Sequence, residues 1–206
     1  LPFVPVSDRF YQTPGKDGIT PRQIIKSYGL PVKRYDKKLK IAMIEAFRNE
    51  TLGDDLDVFC SFFGIDKNTV NMHFPSGKSA KSKDAWISES SLDVQWVNAL
   101  CPGQELHAVF SYDDSFERMY EAVRYASEEI RADVVLMCFG TGEFLSQGEI
   151  SAYFKNSGSV FVSAAGDTGG AVFFPASSPG VISVGGSTCE MSADGRMITR
   201  QRAWRY

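Results

Sequence analysis

The stretch Val134-Val135-Leu136-Met137-Cys138-Phe139 contains only apolar residues. Its length fits one strand, and an uninterrupted apolar run of this length is typical of a strand buried on both faces of a parallel sheet. A helical pattern precedes it, starting with a capping box at Asp114 and Glu117 and running to Ile130. A second helical pattern follows over 146–155. We therefore predict that this stretch is a central strand of an α/β sheet.

Strands and helices alternate on both sides of this stretch. The other predicted strands are 39–44, 70–74, 105–111, 160–164 and 181–184, and the other predicted helices of this region are 53–63 and 87–100. This alternation predicts an α/β fold with a doubly wound, mainly parallel sheet and helices on both faces. Functional residues of such folds lie at the carboxyl ends of the strands.

The composition excludes several classes of protein. The chain has 206 residues, of which 43% are hydrophobic, and a net charge of −3. It is long enough to bury a core without disulfides, and it lacks the basic character of nucleic-acid-binding proteins. No apolar run reaches the roughly 20 residues that span a bilayer. The four cysteines lie far apart without a C-x-x-C pair, which favours free thiols over disulfides or a zinc site.

The first 38 residues are rich in Pro and Gly and contain one short helical pattern. Thr20 can cap this helix, Pro21 suits its first turn and Gly29 ends it. We predict two parts, an N-terminal strap over 1–38 and an α/β domain over 39–206.

Glu89 and Asp93 form the first candidate functional pair. Their i, i+4 spacing on the predicted helix 87–100 puts both carboxyl groups on one side, one turn apart. They lie beside the apolar Leu92 and Trp96, so the helix face that should be buried contains two acids. Burial and like charge should raise the pKa of at least one of them. The alternative is a solvated acidic face near the start of the helix.

Two strand ends that open into glycines supply further candidates. Asp167 follows the strand 160–164 in a glycine-rich turn, where it could present its side chain at the edge of the sheet or simply form an Asp-Gly turn. The segment 138–143 lacks the lysine and the spacing of a phosphate-binding loop. His73 and His107 lie in strand-like segments without catalytic motifs, and we expect both to be structural.

Five motifs then occur in order along the chain: Glu89-x-x-x-Asp93, Phe139-Gly140, Ala165-Gly166-Asp167-Thr168-Gly169, Phe174-Pro175-Ala176-Ser177-Ser178-Pro179 and Val184-Gly185-Gly186-Ser187-Thr188. As an ordered set they resemble the sedolisins, which are serine-carboxyl peptidases with a subtilisin-like fold. The resemblance extends upstream to 19–31 and 41–63, so it covers nearly the whole chain. It implies a subtilisin-like domain that is incomplete at its C-terminal end.

The resemblance implies a role for each acidic candidate. Glu89 would be the general base for a serine nucleophile, Asp93 the acid that orients it, and Asp167 the acid at the oxyanion site. Acidic working conditions suit these roles, because a base must be ionised whereas a carboxyl group that donates to an oxyanion must be protonated.

Other residues depart from the family pattern. Phe139 and Gly140 would border the primary specificity pocket, but Cys138 stands where the family usually has Ser. The nucleophilic Ser and the calcium site of the family lie further along than Tyr206, so we expect neither in this chain and assign it no metal or cofactor. Ser187 is interpreted as part of a structural Gly-Gly-Ser-Thr turn.

Three interpretations stay open. The chain is a piece of a sedolisin-like peptidase whose remaining part supplies the serine, a non-catalytic relative that binds peptides or a protein partner, or a generic α/β domain. The expected partners are a peptide or protein substrate and a C-terminal complement chain or an oligomer partner, with no nucleic acid and no membrane. The resemblance implies a secreted or extracytoplasmic location, the one setting in which the glycosylation sequon Asn49-Glu50-Thr51 would matter.

Overall fold

The computed structural model describes residues 4–5, 18–31 and 37–204. The rest of the predicted strap over 1–38 lies outside the described residues. The strands are β1 (Val4–Pro5), β2 (Lys40–Ala46), β3 (Val70–His73), β4 (Glu105–Ser111), β5 (Val134–Met137), β6 (Phe139–Gly140), β7 (Val160–Ala164), β8 (Val181–Val184), β9 (Ser187–Met191) and β10 (Ile198–Ala203). The helices are α1 (Pro21–Tyr28), α2 (Leu52–Phe63), α3 (Asp84–Leu100), α4 (Phe116–Glu128) and α5 (Gln147–Asn156).

A six-stranded parallel sheet organises the fold, with the strand order β3-β4-β2-β5-β7-β8. The predicted α/β fold is therefore confirmed. Strands β4, β7 and β8 have the predicted bounds. Within the described part of the chain, no helix is both long and apolar enough to span a bilayer.

Each face of the sheet has its own core, because side chains alternate along a strand. The first face contains Ala42 and Val135 and packs against α4 and α5. The second face contains Met43 and Leu136 and packs against α2 and α3.

The second face is only partly covered. Helices α2 and α3 pack over β2 and β4, whereas at the β8 edge Ile182 is 55% exposed and Val184 is 51% exposed. Both side chains share the second face, since they pair in register with Val162 and Ala164 of β7. An open apolar surface therefore lies beside α3.

Helix α1 has the predicted caps. Thr20 and Gln23 form a capping box, and Gly29 ends the helix in the left-handed conformation. The helix is joined to the hairpin of β9 and β10, because Ser27 Oγ accepts a hydrogen bond of 2.8 Å from the Ile198 amide.

Three local features differ from the sequence predictions. The hairpin is not predicted, and Ser187 begins its strand β9 instead of a structural turn. Helix α3 begins at Asp84, three residues before the predicted start. Helix α4 lacks the predicted capping box at Asp114, because Ser115 is its N-cap and the Asp113 carboxylate accepts a hydrogen bond of 3.0 Å from the Ser115 amide.

The close packing at Gly140 can be tested by substitution. A Cβ at this position would lie 2.8 Å from Phe173 Cβ and 3.3 Å from the Phe174 carbonyl oxygen. We expect Gly140→Ala to lower the free energy of unfolding by about 1–3 kcal/mol through overpacking. Gly142→Ala is the matched control, since a Cβ there meets nothing within 4 Å. Urea denaturation measures both, and equal stabilities of the two variants would contradict the packing described.

Candidate active site

A cleft of about 610 Å³ lies on the second face of the sheet, next to α3 and at the carboxyl ends of β7 and β8. Acidic side chains and apolar side chains line it together. The lining residues are Ile19, Glu89, Leu92, Asp93, Trp96, Cys138, Ala164, Gly166, Asp167, Val184, Gly185, Gly186 and Trp204. The fold therefore brings Glu89, Asp93 and Asp167 to one cleft from two distant segments of the sequence.

Helix α3 buries the acids Glu89 and Asp93 and leaves the apolar Leu92 exposed. Glu89 is 3% exposed and Asp93 is 9% exposed. Leu92 is 41% exposed, and with Trp96 it forms part of the cleft wall. The expectation that Leu92 belongs to a buried stripe is wrong, because the helix turns its 89/93 side towards the sheet.

A buried asparagine holds the turn of α3 that contains Glu89. The Asn49 side-chain amide donates to the Ile87 carbonyl at 3.1 Å, to Ser90 Oγ at 3.0 Å and to Ser91 Oγ at 2.9 Å. Asn49 is 5% exposed, so in the folded chain its amide is not available to the sequon chemistry. Its structural role is to fix α3 against the loop that follows β2.

Glu45 is a third acid of the site, and the sequence analysis above does not name it. Glu45 is fully buried on β2, on the same face as Met43. Among the described residues, no N–H or O–H group donates a hydrogen bond to either of its carboxyl oxygens. Burial raises the pKa of Glu45 well above its ordinary value, and the charges of Asp93 and Glu89 raise it further. Glu45 therefore holds a proton, which it can donate to Asp93. The signal for it was a lone acid within an apolar strand.

Asp93 lies between Glu45 and Cys138. Burial raises the pKa of Asp93 to about 6, and hydrogen bonds from Cys138 and Glu45 oppose this rise. Asp93 is therefore protonated in moderately acidic solution and ionised at neutral pH. The sequence prediction of a raised pKa in this pair agrees with this direction.

Cys138 continues the second face beyond Leu136 and reaches the cleft. Its Sγ, one oxygen of Glu89 and one oxygen of Asp93 all lie within 4.8 Å of one another. Burial raises the pKa of the Cys138 thiol well above its usual value, and the neighbouring carboxylates add to the effect. The thiol is therefore neutral, which is unlike the thiolate of a cysteine nucleophile.

Asp167 lies in the turn after β7, where the preceding Gly166 has a φ of 106° and packs against the Phe173 ring. Only glycine adopts such a backbone readily. Asp167 lines the cleft but is exposed. Asp167 therefore lies at the solvent-facing rim of the cleft, whereas Glu89 and Asp93 are buried.

Phe139 and Gly140, which are predicted to border the specificity pocket, are both buried. Phe139 is 1% exposed and packs on Trp86, with 6.3 Å between ring centroids. The backbone of Phe139 and Gly140 pairs antiparallel with Val4–Pro5. This backbone edge is thus already paired within the chain, and the substrate-binding role of both residues stays a prediction.

The two histidines lie away from the cleft. His73 and His107 are 2.9 Å apart through their ring nitrogens, on neighbouring strands β3 and β4. They share the first face with Val109, which is the face opposite to Glu45. Neither histidine can therefore act together with the acids of α3.

Comparison with known proteins places this fold and cleft in a family. The family model for subtilases matches residues 80–200, which is more than half of the chain. The structure of Pseudomonas sedolisin, a serine-carboxyl proteinase, complexed with pseudo-iodotyrostatin, matches with a TM-score of 0.73 and 21% sequence identity. That match covers 91% of this chain and 58% of the sedolisin chain. No curated protein has a significantly matching sequence.

The family model and the shared fold thus define a protein of the subtilisin-like peptidase class. The chain belongs to the subtilase family, and its fold is the one found in sedolisin, as the sequence motifs predict.

The raised pKa of Asp93 predicts a specific pH dependence of stability. Because the folded chain holds this proton more tightly than the unfolded chain does, stability is greatest below the ordinary pKa of 3.8 and is lost as the pH rises through the folded-state pKa of about 6. The difference between these two pKa values corresponds to about 3 kcal/mol of folding free energy. The side chain of the Asp93→Asn variant cannot ionise, so the variant does not lose this stability as the pH rises. We therefore expect the difference in free energy of unfolding, variant minus unsubstituted chain, to increase by up to about 3 kcal/mol from acidic to neutral pH.

Urea denaturation at about pH 3.5 and pH 7.5 measures this effect. Asp54→Asn, at an exposed position in the first turn of α2, is the control and should show no comparable change between the two pH values. Equal destabilisation of the Asp93 variant at both pH values would show instead that Asp93 is an ordinary hydrogen-bonded structural group.

The protonated state of Cys138 predicts slow alkylation. At mildly alkaline pH, Cys138 should react with iodoacetamide at least about tenfold more slowly than Cys189, because each unit of raised pKa lowers the thiolate fraction about tenfold. Cys189 lies in β9, outside the acidic cluster. Mass spectrometry of the digested protein measures both rates, and preferential labelling of Cys138 would contradict a neutral thiol.

Proposed function

We propose that the cleft is the acidic part of a serine-carboxyl peptidase site. In this proposal Glu89 is the general base, Asp93 orients it, and Asp167 is the acid that stabilises the oxyanion. The observation that carries the proposal is the convergence of the buried pair on α3 and Asp167 in one cleft of a subtilisin-like fold. Acids with shifted pKa values in a cleft are typical of active sites.

Acidic conditions give Asp93 the protonation state that its role requires. Below about pH 6 Asp93 holds a proton, so Glu89 can carry the negative charge without a second ionised neighbour on α3. Asp93 is then able to donate a hydrogen bond that orients Glu89. Glu89 removes the hydroxyl proton from an attacking serine and later delivers that proton to the leaving amine. At the rim, a protonated Asp167 donates to the developing oxyanion.

The serine in this proposal comes from polypeptide outside the described residues. None of the described residues that line the cleft is a serine or a threonine, and the Cys138 thiol is neutral. Ile182 and Val184 leave an open apolar surface beside α3, where a further helix can pack, as parallel sheets require on both faces. The 206-residue chain alone is therefore expected to be inactive.

A second candidate function is peptide binding without cleavage. The walls of the cleft are largely apolar, with Leu92, Trp96 and Trp204 among the lining residues. Clefts with apolar walls and a few polar groups are typical binding sites for ligands. A non-catalytic relative would bind peptides saturably and release them intact.

The decisive experiment uses the polypeptide that the gene encodes, incubated with a mixed peptide library at about pH 4. We expect Glu89→Gln to lower kcat/KM by about 10²–10⁴-fold, because it removes the general base. Glu149→Gln, at an exposed position on α5, is the control and should keep full activity. Unchanged activity of the Glu89 variant would refute the assignment.

The 206-residue chain is tested in parallel under the same conditions. The proposal expects no cleavage by this chain at any pH. Cleavage that disappears with Glu89→Gln would show that the nucleophile lies within these residues. Saturable binding without cleavage, by this chain and by the encoded polypeptide alike, would favour the binding function.

A further inference from the structure

We infer that Glu89, Asp93 and Cys138 form a binding site for a thiophilic divalent cation such as Zn²⁺. One atom that could bind a metal from each residue lies within 4.8 Å of the other two. The sequence gives no hint of this site, since its three residues come from a helix and from the end of a strand 45 positions further along. The inference concerns ion binding, and it stands apart from the proposed peptidase activity.

The geometry needs only small side-chain movements to accept an ion. Zn–S distances of about 2.3 Å and Zn–O distances of about 2.0–2.2 Å put neighbouring ligands of a tetrahedral site roughly 3.5 Å apart. Rotation of the Glu89 or Asp93 side chain can bring the three atoms from within 4.8 Å of one another to this shorter separation. Because all three residues line the cleft, an ion can enter from solvent and keep a fourth position open to it.

A second observation points to a missing ligand. Asp93 is only 9% exposed, and its Oδ2 atom has no hydrogen-bond partner among the described residues. A buried polar atom without a partner costs about 1–3 kcal/mol. A cation in contact with this oxygen would remove that cost.

The charges around the cluster favour a cation as well. Each charged group that acts on Cys138 is acidic, namely Asp93, Glu89 and Glu45. Glu89 and Asp93 attract a cation when they are ionised, and they also supply oxygen ligands for it.

The donor set selects the type of ion. Mg²⁺ and Ca²⁺ prefer sites built only from oxygen, whereas a thiolate with two carboxylates suits Zn²⁺ or Cd²⁺. Binding releases the thiol proton of Cys138 to solvent, because the thiolate is the ligand. If the proposed function is correct, an ion at this position would occupy Glu89 and Asp93 and inhibit the peptidase reversibly.

The test measures ion binding without any activity assay. The metal-free 206-residue chain is titrated at about pH 7.5 with Cd²⁺, whose thiolate charge-transfer absorption reports sulfur ligation, and with Zn²⁺ by calorimetry. We expect one ion per chain, and we expect Cys138→Ser and Asp93→Asn each to weaken binding about tenfold or more. Cys189→Ser is the control and should leave the affinity and the absorption unchanged.

Several outcomes would overturn the inference. These are the absence of saturable binding, a charge-transfer band that survives in Cys138→Ser, and a band that disappears in Cys189→Ser. Circular dichroism of each metal-free variant checks that it is folded, and Glu89→Gln provides a second variant if Asp93→Asn is unstable. Because no peptide is cleaved in this experiment, its result is independent of whether the peptidase assignment holds.

Discussion

The alternation of side chains along two buried parallel strands is the constraint on which the site depends. Met43 of β2 pairs in register with Leu136 of β5. Two residues further along, Glu45 lies on the second face of β2, and Cys138, just past the end of β5, continues that face into the cleft. Helix α3 covers the fully buried Glu45, whereas the half-buried Cys138 lines the cleft. The polarity of the cleft floor is thus determined by strand register.

This arrangement brings three carboxyl groups together in a part of the protein that water hardly reaches. Glu45, Glu89 and Asp93 are all at least nine-tenths buried, and the pKa values of Glu45 and Asp93 rise mainly because burial disfavours ionisation. The free energy of unfolding of a domain is only about 5–15 kcal/mol, so a buried acidic cluster is a substantial cost at neutral pH. Natural proteins retain costly polar groups chiefly at functional sites, where a shifted protonation state is required. The energetics and the proposed chemistry therefore favour the same acidic range.

The sequence predicted the sheet and the helix that carries the acids, because both depend on local periodicity. The i, i+4 spacing of Glu89 and Asp93 was enough to place them on one side of α3. Glu45 could not be identified as their neighbour, since its proximity depends on how α3 crosses β2. The exposure of Asp167 also depends on tertiary packing, because a glycine-rich turn can face either water or the core. The family motifs identified the overall fold but not the environment of each acid.

The buried amide of Asn49 has a consequence for the biogenesis of the chain. Oligosaccharide transfer needs a flexible, accessible sequon, whereas the folded chain encloses Asn49 between the loop after β2 and α3. In a compartment that glycosylates proteins, the enzyme would have access to Asn49 only before α3 docks. A glycan attached at that stage would block the docking, because the amide could no longer reach Ser90 and Ser91. A glycan on Asn49 would then identify the chains in which α3 docked too slowly.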